Sequence, residues 1–228
     1  MTDLAARLAD VDARIGEAAR AAGRDAASLT RIVVTKFHPA SLVRELHALG
    51  VRHVGENRQQ ELSVKTAETS DLGDLTWHFI GQAQTNKARA IRRAAGVVHS
   101  VDRERLVDAL DAAAEPGDAM LDVLVQVNLT SDPGRGGIAP GGVVALAERI
   151  AAASTLRLRG VMAVAPLDEE PAAAFERLAG CADSVRTVSS QATWISAGMT
   201  GDFAEAIACG ATHLRIGSAI TGPRPPRA

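Results

Sequence analysis

The chain has 228 residues, of which 46% are hydrophobic and 23% charged, and its formal net charge is −2. That balance excludes a disordered chain and leaves room for one large core. With near-zero charge, scattered basic residues and no apolar run near the ~18 residues of a membrane span, neither a nucleic acid nor a membrane is an expected partner.

Leu4, Leu8, Val11, Ile15 and Ala19 recur at three- and four-residue steps, one apolar stripe of a helix that Gly23 stops. Because this opening segment is acidic and helical, it is no targeting peptide, and the cytoplasm is the expected location. Short β-branched or apolar runs then follow at 31–35, 52–55, 76–80, 97–100, 122–127, 157–162, 193–196 and 213–216. The stretches between them carry helical faces: Leu42, Val43, Leu46 and Leu49 closed by Gly50, then Leu106, Val107, Leu110 and Ala114, then Phe203, Ala206 and Ile207. Arg89, Arg92 and Arg93 read as one solvated helix face.

Strands that alternate with helices must be parallel. Eight units with no longer break predict a single-domain (β/α)8 TIM-like barrel over 1–228, with an extra N-terminal helix and a frayed tail at 223–228. Cys181 and Cys209 lack metal-ligand spacing and read as small buried fillers, so no metal is expected. The stretch 134–139 loosely matches a dinucleotide fingerprint but does not join a strand to a helix. It belongs instead to a glycine-rich loop at 131–142 that could close over a site.

Barrel chemistry sits at the carboxyl ends of the strands, with phosphate held after strands seven and eight. Lys36 ends the first strand, where burial among strand ends would desolvate its ammonium and favour the neutral amine that attacks an aldehyde. After the seventh strand, Ser196-Ala197-Gly198-Met199-Thr200-Gly201-Asp202 offers a tight turn, two hydroxyls and a helix start, which suit a phosphate. Asp202 would cap that helix. Gly217 and Ser218 would complete the cup from the eighth strand, opposite Lys36. Arg215 alternates with Leu214 and Ile216 and so points into the mouth. Glu56 reads as a helix-start carboxylate with acid or base potential.

These motifs, in order, resemble the pyridoxal phosphate homeostasis protein family: T-K-F-H-P at Thr35, G-E-N at Gly55, W-H-F-I-G at Trp77, Q-T-N-K at Gln84, G-V-M-A at Gly160, S-A-G-M-T at Ser196 and R-I-G-S-A-I at Arg215. The resemblance extends from about Arg14 to Pro223. It implies a barrel of the alanine racemase type that binds pyridoxal 5′-phosphate (PLP), with a role in vitamin B6 and amino/keto-acid balance and without established turnover. It implies that Lys36 holds the cofactor as a Schiff base, that Ser196, Gly198, Met199, Thr200, Gly217 and Ser218 hold the phosphate, and that Arg215 faces the pyridine nitrogen. Asn57, His78 and Met162 would line the ring. Arg58, the 135–137 segment and Ala83 depart from the family pattern.

The composition favours a carrier over a PLP-dependent racemase, the alternative reading. A racemase of this type takes its second base from a tyrosine, and the chain contains none. An arginine against the ring nitrogen would not give up a proton, which leaves the ring a poor electron sink. A third reading, an aldolase using Lys36 without PLP, stays open. A monomer that passes PLP to PLP-dependent apo-enzymes is the expected setting.

Overall fold

A computed structural model describes residues 3–132 and 134–224. Eight strands run β1 (Thr30–Val34), β2 (His53–Glu56), β3 (Thr76–Phe79), β4 (Val97–Val101), β5 (Leu121–Gln126), β6 (Leu156–Met162), β7 (Trp194–Ser196) and β8 (His213–Ile216). All neighbours pair in parallel and in sequence order, and β8 returns to β1, so the sheet is a closed barrel. The closing register sets Thr30 opposite His213 and Val33 opposite Ile216.

Nine helices among the described residues surround it: α1 (Asp3–Ala21), α2 (Ala40–Ala48), α3 (Gln59–Glu68), α4 (Ala88–Ala94), α5 (Glu104–Asp111), α6 (Val143–Ala151), α7 (Pro171–Val188), α8 (Phe203–Ala208) and α9 (Ser218–Thr221). In α1 the buried residues are the five of the predicted stripe. Alternation along each strand sends one set of side chains outward. Val33, Val54, Phe79, Val98, Val123 and Val161 join the main apolar core under the helices, and Val97, Leu124 and Met162 form a separate small cluster inside the barrel.

Several local expectations change. Leu49 is exposed, because α2 ends at Ala48 before the stripe reaches it. Cys209 is only half-buried, whereas Cys181 is buried. Arg92 is not on a solvated face: it is buried, and its guanidinium donates to the carbonyls of Leu110, Ala119 and Thr155 at 3.2–3.3 Å. The Thr155 carbonyl already accepts the Leu121 N–H at 2.9 Å, and the buried guanidinium adds donors to it and to the carbonyls of Leu110 and Ala119. Of the predicted frayed tail, residues 225–228 lie outside the described ones. Among the described residues no helix is long and apolar enough to cross a membrane.

One backbone position is sterically closed. Gly160 in β6 has φ +148°, and a Cβ there would lie 1.8 Å from the Trp194 carbonyl oxygen. Gly160→Ala should therefore cost more than about 3 kcal/mol by breaking the β6–β7 pairing. Gly180, exposed within α7 with nothing within 4 Å of a built Cβ, should gain up to about 1 kcal/mol on Gly180→Ala. Urea unfolding of the two variants checks both signs.

Candidate functional site at the barrel mouth

Lys36 follows β1 by one residue, Thr35, and because β1 pairs with β8, with Val34 against Gly217, the loop that carries it runs along the Gly217–Ser218 turn. The expected arrangement across the mouth is thus corrected to a side-by-side one. Lys36 is also exposed, so the protein does not desolvate its ammonium by burial. What the fold constrains is its backbone. Thr35 before it is fully buried; its carbonyl accepts from Lys65 Nζ at 2.9 Å and its hydroxyl donates to Glu56 Oε1 at 2.7 Å. Phe37 after it adopts φ +70°, an unfavourable conformation for an aromatic residue, and its N–H donates to Glu61 Oε2 at 2.8 Å.

The same three α3-side charges form one buried network. Lys65 Nζ lies 2.5 Å from Glu56 Oε1 and 3.7 Å from Glu61 Oε2. Glu56 is fully buried, and burial pushes its carboxyl above the ordinary range against the opposing pull of Lys65 and Thr35. It is therefore not a helix-start carboxylate, because β2 extends through it and turns it away from α3's first turn. Removing either partner of such a pair strands the other charge in the interior.

Over β7 and β8 the loops approach closely. Gly198 has φ +91°, and a Cβ there would meet Ala206 Cβ at 2.9 Å and Phe203 Cα at 3.0 Å, so the turn packs flat against α8. Its carbonyl accepts from the Arg215 N–H at 2.9 Å, tying the two loops together. Asp202 does not cap α8 with its side chain; its carboxylate turns back to accept the Met199 N–H at 2.6 Å. Met199 is exposed and Thr200 half-buried at the turn, and α9 begins at Ser218 just after Gly217. The first N–H groups of that short helix have no partner of their own within it.

Beneath the mouth the lumen is polar. Arg215, 5% exposed, donates to Ser196 Oγ at 2.7 Å and to the Ala163 carbonyl at 2.8 Å. Ser196 is fully buried and also lies 2.9 Å from His99 Nδ1, so its hydroxyl is engaged inside the barrel rather than displayed with Thr200. His78 points into the same lumen one layer below the mouth, bonded through one nitrogen to His99 at 2.9 Å and through the other to His53 at 3.0 Å. Burial drives His78 and His99 well below the usual imidazole range, and brings His213 to about 3 with help from His53, Arg159 and Arg215. Burial also lowers Arg215, to about 10, which still leaves it a cation near neutrality.

Met162 is 2% exposed and packs inside the barrel with Val97 and Leu124. Asn57 follows β2, half-buried, and its Oδ1 is a buried acceptor without a hydrogen-bond partner. A ligand carrying a polar hydrogen would satisfy it. The mouth therefore combines an accessible amine, glycine-lined loops over β7 and β8, an orphaned acceptor and a cation below. These groups fit a phosphorylated aromatic aldehyde such as PLP.

The glycine-rich loop is tied down at two points: Val127 bridges Ile138, and the Gly137 N–H donates to Asp102 Oδ2 at 3.3 Å. Sequence reading missed Lys65, Glu61, His53 and His99. His99 carried a signal, a polar residue amid Val97, Val98 and Val101 in a wholly buried strand. Lys65 carried none, since one lysine on a helix looks solvated.

The family described as alanine racemase, N-terminal domain, matches residues 8–225. A Pseudomonas aeruginosa protein named pyridoxal phosphate homeostasis protein is 42% identical over 98% of this chain and 97% of its own. The Escherichia coli protein of the same name is 35% identical over 98% of both. The structure of PipY from Synechococcus elongatus with PLP bound superposes with a TM-score of 0.84 at 35% identity, covering 96% of this chain and 100% of that one. Alanine racemase from Corynebacterium glutamicum matches 94% of this chain and 61% of its own at 14% identity and a TM-score of 0.69, a likeness of fold alone.

The neutral imidazoles in the lumen set an acid limit on stability. An unfolded histidine takes up a proton near pH ~6.5, whereas the folded barrel excludes it. Stability is then full above that value and is lost as the pH falls towards the folded value, about 3 for His213. Each buried imidazole should remove about 1.4 kcal/mol per pH unit across this window. Urea midpoints measured from neutral to mildly acid pH should fall steeply; unchanged midpoints would mean that the folded lumen accepts those protons.

Proposed function

The chain belongs to the pyridoxal phosphate homeostasis protein family, which has the alanine racemase N-terminal barrel, and on that premise we propose that it binds PLP at the barrel mouth and holds it for intracellular cofactor balance. The observation that carries this reading is the pairing of β1 with β8, which sets the loop of the accessible Lys36 against the Gly217–Ser218 turn, with the buried Arg215 beneath. When bound, PLP supplies an aldehyde for covalent capture by an amine and a conjugated ring able to accept electrons.

Each residue has a definite task in this reading. Lys36 provides the amine that captures the aldehyde. Gly198, Met199 and Thr200, with Gly217 and Ser218, hold the phosphate, and Asn57 satisfies its orphaned oxygen on the ligand. Arg215 presents a guanidinium to the ring nitrogen from below. Ser196, His78 and Met162 support that floor from within the lumen.

Little or no turnover follows from the same geometry. A guanidinium lowered only to about 10 remains charged near neutrality and hydrogen-bonds the ring nitrogen without protonating it. The ring is then a weak electron sink. No tyrosine is present to serve as a second base, and His78 and His99 are sealed within the barrel. Delivery of PLP to apo-enzymes, a monomeric state and a cytoplasmic location belong to this proposal.

Borohydride reduction of the PLP-loaded protein followed by peptide mapping should place the phosphopyridoxyl label on Lys36; a label elsewhere overturns the assignment. Lys36→Ala should lose the covalent absorbance yet retain weaker PLP binding, and a folded variant with no binding would refute the separate phosphate contribution. The Phe37 anchor can be tested in the same assay. Glu61→Ala leaves the Phe37 N–H without its acceptor and should weaken PLP binding roughly tenfold, while Glu61→Gln, which keeps an acceptor oxygen, should lose less.

A further inference from the structure

Three imidazoles stand in single file through the barrel. His53 Nδ1 meets His78 Nε2 at 3.0 Å, His78 Nδ1 meets His99 Nε2 at 2.9 Å, and His99 Nδ1 meets Ser196 Oγ at 2.9 Å. Arg215 closes the upper end, 2.7 Å from the same Ser196 oxygen. The lower end reaches a pocket of about 390 Å³ under the barrel, lined by half-buried His53 with Asp12, Arg31 and Arg52. Of the three rings the proposed function uses only His78, as part of the floor; His53 and His99 have no task in it.

The direction of every hydrogen bond in this file follows from its top member. A guanidinium can only donate. Ser196 Oγ must therefore accept from Arg215, and its own proton has one acceptor within reach, His99 Nδ1. His99 then carries its proton on Nε2 and donates to His78 Nδ1. His78 in turn donates from Nε2 to His53 Nδ1, which leaves the His53 Nε2–H facing the lower pocket. Reversing the file would leave the buried Ser196 hydroxyl without an acceptor, at a full desolvation penalty.

We propose that His99, His78 and His53 are positioning residues for Arg215, acting through Ser196 in a file whose polarity Arg215 fixes, so that protonating His53 at the barrel floor disturbs the guanidinium at the mouth. A proton can add to His53 only at Nδ1, the atom that accepts from His78. The new N–H bond forces His78 and His99 to move their protons to Nδ1, and Ser196 loses its acceptor. The floor and the cofactor end are thus coupled through four side chains. Other titratable or charged groups facing the file are Arg159 and the neutral His213, Asp122 paired with Arg157 and Arg159, and Asp12, Arg31 and Arg52 around the floor pocket.

This inference rests on the reading that Arg215 serves the cofactor ring, but its test does not need the cofactor. Long-range proton–nitrogen NMR of the full-length, 15N-histidine-labelled protein reads each ring's tautomer, with His→Gln variants providing assignments. In the free protein His53, His78 and His99 should all be Nε2–H; an Nδ1–H tautomer on any of them overturns the proposal. Ser196→Ala keeps the Arg215 charge while cutting the file. It should give His99 a mixed tautomer and raise the His53 titration midpoint by about one pH unit; an unmoved midpoint also overturns the proposal. Ser196→Thr, which keeps the hydroxyl, should restore the wild-type pattern. If Ser196→Ala fails to fold, the wild-type tautomers still decide. Failure of PLP to label Lys36 would refute the cofactor reading and leave these tautomers unchanged.

Discussion

The pairing of β8 with β1 is the contact on which the rest of the structure depends. It brings the two ends of the sheet together at a register that sets Val33 against Ile216, and the consequences reach both sides of the barrel wall. Above the strands it brings the loop that carries Lys36 against the Gly217–Ser218 turn. Inside, it buries a set of polar side chains, His78, His99, Ser196 and Arg215, which hydrogen-bond to one another.

The molecule handles buried polar side chains in two ways. Around the lysine turn it uses charge: Glu56 and Lys65 form a buried pair, Thr35 also bonds Glu56 Oε1, and Glu61 accepts the Phe37 N–H. In the lumen it uses neutrality, since four imidazoles share a small volume with Arg215 and are kept uncharged by burial and mutual repulsion. The first network holds the backbone on both sides of Lys36 while its side chain remains accessible. The second builds a rigid floor under the mouth. The division leaves the Lys36 amine accessible while the backbone beside it is held by hydrogen bonds.

The likeness to alanine racemase, at 14% identity, is one of fold alone. Function lives in the residues at the strand ends. Here those residues offer an amine, two glycine turns and a cation, while the composition lacks tyrosine.

The order of strands and helices was legible in the sequence because period-two and period-3.6 patterns report burial directly. The α1 stripe, the eight strand positions and the inward aim of Arg215 all follow from spacing within one segment. Lys36 at a strand end was legible for the same reason. Spacing could not reveal that the Lys36 loop adjoins the β8 turn, that Arg92 is buried against three carbonyls, or that Ser196 faces His99 across 97 positions of sequence. Nor could it find Lys65 beneath the Lys36 turn. These are contacts between strands and helices remote along the chain, and only barrel closure brings them within hydrogen-bonding distance. The sequence by itself determined which side chains point inward and what chemistry they carry; the tertiary structure decided which of them meet, because partners in a closed lumen are set by register across the sheet.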